Sequence, residues 1–441
     1  MPNRRDFIKA LGGALGAGML TAAGAGKLHS QTTGSPLPSA YTFRELISTG
    51  GSLGSGLTLD LLPGPVMINE MGKVVFYARD TAGAMGLYEL DLSDPNQVRK
   101  VIRQGDALGD KTLKIINSAD SNHTGSIALL LVNQEEGLPG VYLERQGGDM
   151  EQVASFHQGI PGTDYRFGAE FSDLDLHGDD DVLLVSHFSS DSGDNGRVGL
   201  FLLPQGEASQ NTTLVLSTPA LVHGQEGKVA SLGLIHANDK GDYVLQAFTN
   251  GGRPITSGTL QASGAPGGQG AVLLKGNTRR PARSGYSTLA WPQFPKPGGP
   301  PATGEIVYGP RVGPEGKPAY VVHVSDDRLS LVLDDRTVIS SGDPAPGGWV
   351  VTSMSPPTAG LNGLYYFNLL GYQEQNVFEF MVSNGTEAKV ILGMLDQVGD
   401  KRIVNLLWGF HTDQVDDQGR LVFVAEWDDQ KTQSLMLAVP A

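Results

Sequence analysis

Asn69-Glu-Met-Gly72-Lys-Val-Val-Phe76 is the stretch of sequence that decides the fold. It has an asparagine, a glycine three residues later, and then an apolar run that ends in an aromatic residue. Asn or Asp at the start of a type I turn bonds nearby backbone, and glycine accepts the turn's unusual dihedral angle. The β-branched and aromatic residues that follow are typical of a buried strand. The segment therefore predicts a tight turn that leads into a core strand.

The same frame recurs along the chain, although three of its copies have lost the leading Asn or Asp. Its copies begin at Asn69, Asn122, His177, Asn238, Pro301, Gly360 and Asp416. The steps between them are 53 to 63 residues. A second marker, a glycine often followed by Asp, ends an apolar strand once per repeat, as at Gly105-Asp106 and Gly342-Asp343. Each repeat offers about four short strands, which is the content of one β-propeller blade.

The last repeat lacks a strand that the N-terminus supplies. After Asp416 only two strand patterns remain, whereas Phe43-Arg-Glu-Leu-Ile47 is an extra strand before the first repeat. Joining this strand to the last blade closes a ring and removes exposed edges. We therefore predict an all-β fold, a seven-bladed β-propeller closed by the N-terminal strand. Six or eight blades, or an open stack of sandwiches, are the alternatives.

These repeats resemble a family of bacterial exported proteins named for tandem Asn-x-x-Gly-x-x-Ala-Phe repeats. Asn69, Gly72, Val75 and Phe76 match that pattern, with Val in place of Ala. The stretch from Gly342 to Gly347 is similar to the family's inter-repeat element. The resemblance covers most of the mature chain and implies a repeat architecture and export. It implies no activity and supplies no catalytic residues.

The N-terminus resembles a twin-arginine signal peptide. Arg4 and Arg5 precede Phe7-Ile8-Lys9, a weakly apolar run rich in Ala and Gly, and the small residues Ala23-Gly24-Ala25. The apolar run has about 14 residues, too few to span a membrane. The predicted organisation is a signal peptide over 1–25, a flexible linker over 26–40, and one propeller domain of about seven repeats over 41–441. The predicted location is the periplasm or the cell exterior, reached by the twin-arginine route.

Composition excludes several classes of protein. The formal net charge is −15, and such an acidic chain is a poor partner for nucleic acid. The chain has no cysteine, which excludes disulfides, thiolate metal sites and a cysteine nucleophile. No other apolar run approaches the roughly 18 residues of a membrane span, so none is predicted after leader cleavage. The identity of any cofactor is left unknown.

Candidate binding residues lie in the longer loops expected on the face opposite the Asn-x-x-Gly turns, because rigid scaffolds display binding groups on loops. These residues are Arg79, His187, Arg253, Arg279, Arg280, Arg283, Trp291, Arg311 and Trp427. Guanidinium groups with aromatic neighbours suit an acidic ligand, such as a carboxylated sugar or a phosphate. The alternative is that the arginines form surface ion pairs with the abundant Asp and Glu.

Metal and catalytic motifs are weak or missing. His123, His177 and His236 each lie within two residues of a turn, where they could approach one another or simply fit the turn geometry. The acidic loops lack the regular calcium-binding frame. No metal site is therefore predicted. There is no Gly-x-Ser-x-Gly elbow, phosphate loop or His-Glu-x-x-His, so catalytic residues stay unknown.

The predicted function is a ligand- or protein-binding module, with an anionic glycan, a small molecule or a protein as the partner. The alternative is a secreted polysaccharide lyase or hydrolase with its site at the mouth of the propeller channel. The fold cannot decide between them, because propellers host both activities. Convergence of Arg, His, Tyr and Asp side chains at one channel mouth, with a shifted pKa among them, would favour the enzyme.

Overall fold

The chain forms seven small antiparallel sheets arranged in a ring, a seven-bladed β-propeller, as the repeats predicted. The computed structural model describes residues 35–190, 197–206, 212–218, 220–221, 228–249, 271–278, 306–323, 328–334, 336–346, 348–360, 362–372, 376–407, 413–429 and 431–441. Within these ranges the only helical element is a 3-10 turn at Pro204–Gly206. None of the described helical structure is long and apolar enough to cross a membrane.

The first strand, β1 (Tyr41–Ser48), precedes the first blade. Blade 1 contains β2 (Ser52–Gly54), β3 (Leu57–Leu61), β4 (Val66–Ile68), β5 (Lys73–Asp80), β6 (Met85–Asp91) and β7 (Asp94–Arg103). Blade 2 contains β8 (Ala107–Leu108), β9 (Lys111–Ser121), β10 (Ile127–Asn133), β11 (Pro139–Glu144) and β12 (Met150–Ser155). Blade 3 contains β13 (Tyr165–His177), β14 (Asp181–Ser190), β15 (Arg197–Leu203) and β16 (Thr213–Ser217).

The remaining blades follow the same order from the channel outward. Blade 4 contains β17 (Ala220–Leu221), β18 (Lys228–Ala237), β19 (Asp242–Thr249) and β20 (Ala271–Asn277). Blade 5 contains β21 (Ile306–Val312), β22 (Pro318–His323), β23 (Leu329–Leu333) and β24 (Arg336–Ser340). Blade 6 contains β25 (Val350–Met354), β26 (Thr358–Ala359), β27 (Tyr365–Tyr372), β28 (Asn376–Ser383) and β29 (Ala388–Gly393). Blade 7 contains β30 (Gln397–Val398), β31 (Lys401–Leu407), β32 (Leu421–Trp427), β33 (Gln433–Pro440) and, at its outer edge, β1.

The second strand of a blade is buried on both faces, because a neighbouring blade packs against each side. In β10 and β32 almost every residue is buried, which explains their continuous apolar sequences. Seven hydrophobic clusters fill the seven interfaces between adjacent blades. Each blade is therefore held mainly by its two neighbours.

Five of the seven predicted turns are present between the first and second strands of their blades, at Asn69, Asn122, Asn238, Gly360 and Asp416. The Gly72 N–H donates to the Asn69 carbonyl at 2.9 Å, and Asn69 Oδ1 accepts the Lys73 N–H at 3.1 Å. Gly72 has a φ of 72°, which favours glycine. The turns that begin at Asn122 and Asn238 repeat these bonds. The local chemistry inferred from the sequence is thus confirmed.

The fifth turn begins at Gly313, so its predicted start at Pro301 was wrong. The Gly313 N–H donates to the Lys317 carbonyl at 2.8 Å, and the Gly316 N–H donates to the Gly313 carbonyl at 2.9 Å. Without a leading Asn or Asp, this Gly-Pro-Glu-Gly turn does not show the pattern that marks the clear copies. Arg311 consequently belongs to the innermost strand of blade 5 and not to a loop on the opposite face.

The second marker forms the bend that leads from one blade to the next. Gly105 has a φ of 89°, and Asp106 Oδ2 accepts the Arg103 N–H at 2.9 Å. Gly342 and Asp343 repeat this arrangement. In two other repeats the left-handed residue is His157 (φ 64°) or Leu395 (φ 73°), each a short distance before the glycine of the sequence marker.

The N-terminal strand closes the ring, as predicted. β1 pairs antiparallel with β33, from Tyr41 opposite Pro440 to Ser48 opposite Ser434. Gln433 then links blade 7 to blade 1, because its Oε1 accepts the Leu62 N–H at 2.7 Å. The Ile47 side chain packs in the cluster between these two blades. Closure thus combines backbone pairing with apolar packing.

Ile47→Ala and Arg44→Ala test this closure, because both side chains lie on β1 but only Ile47 is buried. We expect Ile47→Ala to lower the free energy of unfolding by about 2 kcal/mol, the lower end for a large-to-small core change. Arg44→Ala should stay within about 0.5 kcal/mol of the parent. Urea denaturation measures both, and equal effects would contradict a supporting role for the packing of β1.

Candidate functional site in the channel

The channel is lined by the innermost strands, and one position of each strand forms a ring. These residues lie two positions before each turn: Met67, Asp120, Asp175, His236, Arg311, Thr358 and Gln414. All seven are buried. Since alternate residues of a strand share a face, equivalent positions in the repeats point the same way. Four consecutive blades, 2 to 5, therefore place ionisable groups in this ring.

Three ionisable side chains of the channel wall join their own blade to the next one. Asp120 Oδ2 accepts the Leu176 N–H at 2.8 Å. Asp173 Oδ2 accepts the Ile235 N–H at 2.9 Å. His236 Nδ1 accepts the Val312 N–H at 3.1 Å. These bonds satisfy backbone N–H donors of neighbouring inner strands. Leaving such donors unpaired in a buried position would cost free energy.

His236 also reaches across the channel. Its Nε2 lies 3.3 Å from Asp413 Oδ1, which joins blade 4 to blade 7, two blades that are not neighbours. Because Nδ1 accepts the Val312 N–H, the hydrogen-bond network assigns the imidazole proton to Nε2, which donates to Asp413. This contact shows that the inner strands converge on a narrow axis.

Burial and mutual repulsion alter the acidity of the channel carboxyls. Burial raises the pKa of Asp120 well above its usual range, and the charges of Asp175 and Asp413 act in the same direction. Burial raises the pKa of Asp173 to about 7 against the effect of its hydrogen bond from Ile235. Burial also acts to raise the pKa of Asp413, yet His236 and Arg311 hold it below its usual value. The wall thus contains both protonated and ionised carboxyls at neutral pH.

Several buried polar atoms of the channel region have no hydrogen-bond partner. They are Asp175 Oδ1, both ring nitrogens of His177, and Arg311 Nη2. Asp175 Oδ1 lies 3.6 Å from His177 Nδ1. Buried polar groups are normally paired with protein or water.

Three turn residues and Asp413, which lies just before the seventh turn, carry ionisable side chains on the turn face. We call the group formed by Glu70, His123, Asp239 and Asp413 the turn-face mouth. His123 Nδ1 lies 3.1 Å from Asp239 Oδ1, which also accepts the Gly178 N–H at 3.0 Å. Burial raises the pKa of Glu70 to about 7, and the charges of Asp239 and Asp413 add to this effect. No three described His, Asp or Glu side chains are placed to hold a metal ion.

The sequence-predicted site residues do not gather at one place in the described chain. Arg79 is half-exposed and forms an ion pair with Asp60, with 2.7 Å between Nη2 and Oδ2, as the alternative interpretation expected. His187 Nε2 lies 3.5 Å from Glu170 Oε2, away from the ring residues. The residues Arg253, Arg279, Arg280, Arg283 and Trp291 lie outside the described residues.

Trp427 and Arg311 are buried rather than displayed on loops. Trp427 ends β32, is 2% exposed, and donates from Nε1 to Ser434 Oγ at 2.7 Å. Its position directly before Asp428-Asp429 suggested a loop, but the strand continues to the tryptophan. Arg311 faces the channel because the fifth turn lies further along the chain than the sequence frame placed it. Both are corrections to the predicted loop site.

Sequence reasoning missed Asp120, Asp173 and Asp413 as channel residues. A signal was present, because aligning the copies at their turns puts Asp120, Asp175 and His236 at one repeat position. Arg311 could not join that alignment while the fifth turn was misplaced. Asp413 lies one residue off the shared position, and only the ring geometry brings it to His236.

Comparisons with known proteins concern the fold. No protein-family model matches the chain, and no curated protein sequence matches it. The oligogalacturonate lyase of Vibrio parahaemolyticus is 11% identical with a TM-score of 0.46, covering 91% of this chain and 97% of that one. The β-propeller domain of the Trilobed protease from Pyrococcus furiosus, which has an open velcro topology, is 10% identical with a TM-score of 0.47, covering 87% and 96%. A polysaccharide lyase that acts as an ulvan lyase is 9% identical with a TM-score of 0.42, covering 90% and 95%. At such identities the likeness says nothing of activity.

Asp173→Asn tests the electrostatics of the channel wall. The raised pKa means that the carboxyl contributes stability below its unfolded pKa of about 4 and loses that contribution as pH rises through about 7. Asn is neutral at every pH and keeps an oxygen to accept the Ile235 N–H. We therefore expect the melting temperature of the variant, relative to that of the parent, to rise from pH 5 to pH 8.

Asp94→Asn is the matched control, since Asp94 is exposed on β7. Its melting temperature should follow that of the parent at both pH values. A melting-temperature difference between Asp173→Asn and the parent that is the same at both pH values would show that Asp173 carries no buried charge near pH 8.

Proposed function

We propose that this chain is a β-propeller that binds a ligand or a protein partner and performs no chemistry inside its channel. The observation that carries the proposal is that Asp120, Asp173 and His236 each accept a backbone N–H of the next blade. All three are more than nine-tenths buried. A general acid or base must reach the substrate proton, and these groups are enclosed and already engaged. Their role is to hold the ring.

The proposed ligands remain those suggested by the sequence: an anionic glycan, an acidic small molecule or a protein. Arg280 and Arg283, with Trp291 nearby in the chain, are proposed to recognise carboxylate or phosphate groups. A closed ring of seven blades is a suitable support for such residues, because a rigid scaffold limits the entropy lost on binding.

A secreted polysaccharide lyase or hydrolase is the second candidate. One observation favours it: His236, Asp413 and Arg311 gather in the channel beside Asp173, whose pKa is raised to about 7. Carboxyls with shifted pKa values beside an imidazole and a guanidinium are common at active sites. Catalysis would require a polymer to reach Asp413, whose side chain is 37% exposed.

A binding screen combined with an activity assay separates the two candidates. We expect calorimetry to detect an anionic glycan or metabolite, and the Arg280→Ala/Arg283→Ala variant to bind it about tenfold more weakly. Arg44→Ala, which removes an exposed arginine from β1, is the control and should bind as the parent does. Assays for new reducing ends and for unsaturated uronate should show no turnover. Turnover that disappears in Asp413→Asn would establish the enzyme instead.

We also propose export by the twin-arginine route. The support is the leader sequence with Arg4 and Arg5, together with a ring whose closure needs both ends of the chain. Pairing between such distant segments is slow, so folding before transport suits this protein. Twin-arginine export is associated with cargo that is already folded.

Replacing Arg4 and Arg5 by lysines tests the route. We expect the doubly substituted chain to accumulate inside the cell, because lysines keep the positive charge but lack the two guanidinium groups of the signal pattern. Fractionation and immunoblotting measure this accumulation. A chain that carries a general secretory leader instead should accumulate poorly outside. Normal accumulation of that chain would contradict the proposed reason for the route.

A further inference from the structure

We propose that the turns between the first and second strands form a connected belt, in which side chains join each blade to the next at the turn face. The leading asparagine of the repeat then has two functions. Its amide oxygen holds its own turn, and its amide nitrogen holds the neighbouring blade. The inference concerns how the ring keeps its blades in place and is independent of the ligand in the proposed function.

Two clear copies of the repeat use both ends of the asparagine amide. In Asn122 and Asn238, Oδ1 accepts a backbone N–H four residues later, at 3.1 and 3.0 Å. Asn122 Nδ2 donates to the Gly178 carbonyl of blade 3 at 3.0 Å. Asn238 Nδ2 donates to the Gly313 carbonyl of blade 5 at 2.8 Å. Both asparagines are buried, so each amide fastens the following turn in a place with little access to water.

Copies that lack the asparagine make the connection with other groups. In blade 3 the direction is reversed, because the Gly178 N–H donates to Asp239 Oδ1 of blade 4 at 3.0 Å. In blade 7, Asp416 has no N–H to donate, but it accepts the Nε–H of Arg420. Arg420 Nη2 then lies 3.4 Å from the place that a Cβ on Gly72 of blade 1 would occupy. The chemistry changes while contact between neighbouring turns is kept, which indicates that the contact itself matters.

Two further pairs of blades are joined without a leading amide. Tyr365 follows the blade 6 turn, and its hydroxyl donates to Asp334 Oδ1 of blade 5. The same hydroxyl oxygen lies 3.2 Å from the place of a Cβ on Gly313. Between blades 1 and 2, Met71 Sδ lies 3.0 Å from the place of a Cβ on Gly125. The belt therefore also passes through the turns that have no asparagine donor.

The glycine of the turn provides space for the neighbour's side chain. A Cβ on Gly316 of blade 5 would lie 2.9 Å from Asp242 Oδ2 of blade 4. A Cβ on Gly419 of blade 7 would lie 2.6 Å from Asn362 Nδ2 of blade 6. Both distances are too short for a carbon atom. Glycine is thus required here by the close approach of the preceding blade as well as by the dihedral angle of the turn.

The belt makes the local stability of one turn depend on a side chain of another blade. A buried carbonyl that loses its donor is destabilised, and the segment that carries it opens more often. An asparagine that served only its own turn would have no such effect on the next blade. This difference can be measured by hydrogen exchange of individual backbone amides.

Asn238→Asp separates the two functions. The carboxylate keeps an oxygen for the Asp242 N–H but has no N–H for the Gly313 carbonyl. We expect exchange of the Gly313 and Gly316 amides of blade 5 to become about tenfold faster in the folded full chain near pH 7. The Gly241 amide of blade 4 should change less than about twofold, because its own turn keeps its acceptor. Thermal melting verifies that the variant is folded.

Asn133→Asp is the matched control. Asn133 is also buried, its Oδ1 accepts the Glu136 N–H at 2.8 Å, and its Nδ2 donates to the Leu138 carbonyl at 3.1 Å within blade 2. The substitution removes the same donor and adds the same charge without touching a connection between blades. Faster exchange should therefore be confined to blade 2.

Asn122→Asp repeats the test between blades 2 and 3 and does not depend on the folding of Asn238→Asp. Exchange at Gly178 should accelerate, with little change at Gly125. The inference is overturned if either variant leaves the next blade unchanged, or if it accelerates exchange in its own turn as much as in the next. It is also overturned if Asn133→Asp affects the blade 5 turn to the same degree. No ligand enters the measurement, so its outcome is distinct from that of the binding screen.

Discussion

The pairing of β1 with β33 is the constraint on which the rest of the structure depends. It joins Tyr41–Ser48 to Gln433–Pro440 and turns a row of blades into a closed ring. Each blade is a sheet too small to bury both of its faces alone, so every one of the seven interfaces needs the ring to be complete. The channel and its polar wall exist only because that ring closes.

Closure explains the polar channel. Inner strands that converge on one axis present backbone donors to each other where water has little access, and Asp120, Asp173 and His236 satisfy them. Desolvation then raises the pKa of Asp120 and Asp173 although the charge of Arg311 acts against it, whereas His236 and Arg311 hold the pKa of Asp413 below its usual value. The packing of the ring thus gives these residues a structural role.

The two faces of the propeller differ in the charged residues assigned to them. The turn face gathers Glu70, Asp239 and Asp413 around one entrance and leaves Asp175 Oδ1 without a donor below. The opposite face is where the sequence expects Arg280 and Arg283.

The sequence by itself determined the repeat, the blade number and the closing strand. Asn69 and Gly72 define a turn through bonds within five residues, and Phe43 to Ile47 is a surplus strand, so both can be recognised locally. The sequence frame also misplaced the fifth turn, because that turn begins with Gly313 where the clear copies have Asn or Asp. Arg311 was therefore assigned to a loop. Only the tertiary structure decided which side chains meet. His236 and Asp413 are 177 residues apart in sequence, and they touch because ring closure brings blades 4 and 7 to one axis. No local sequence pattern encodes a contact between residues so far apart.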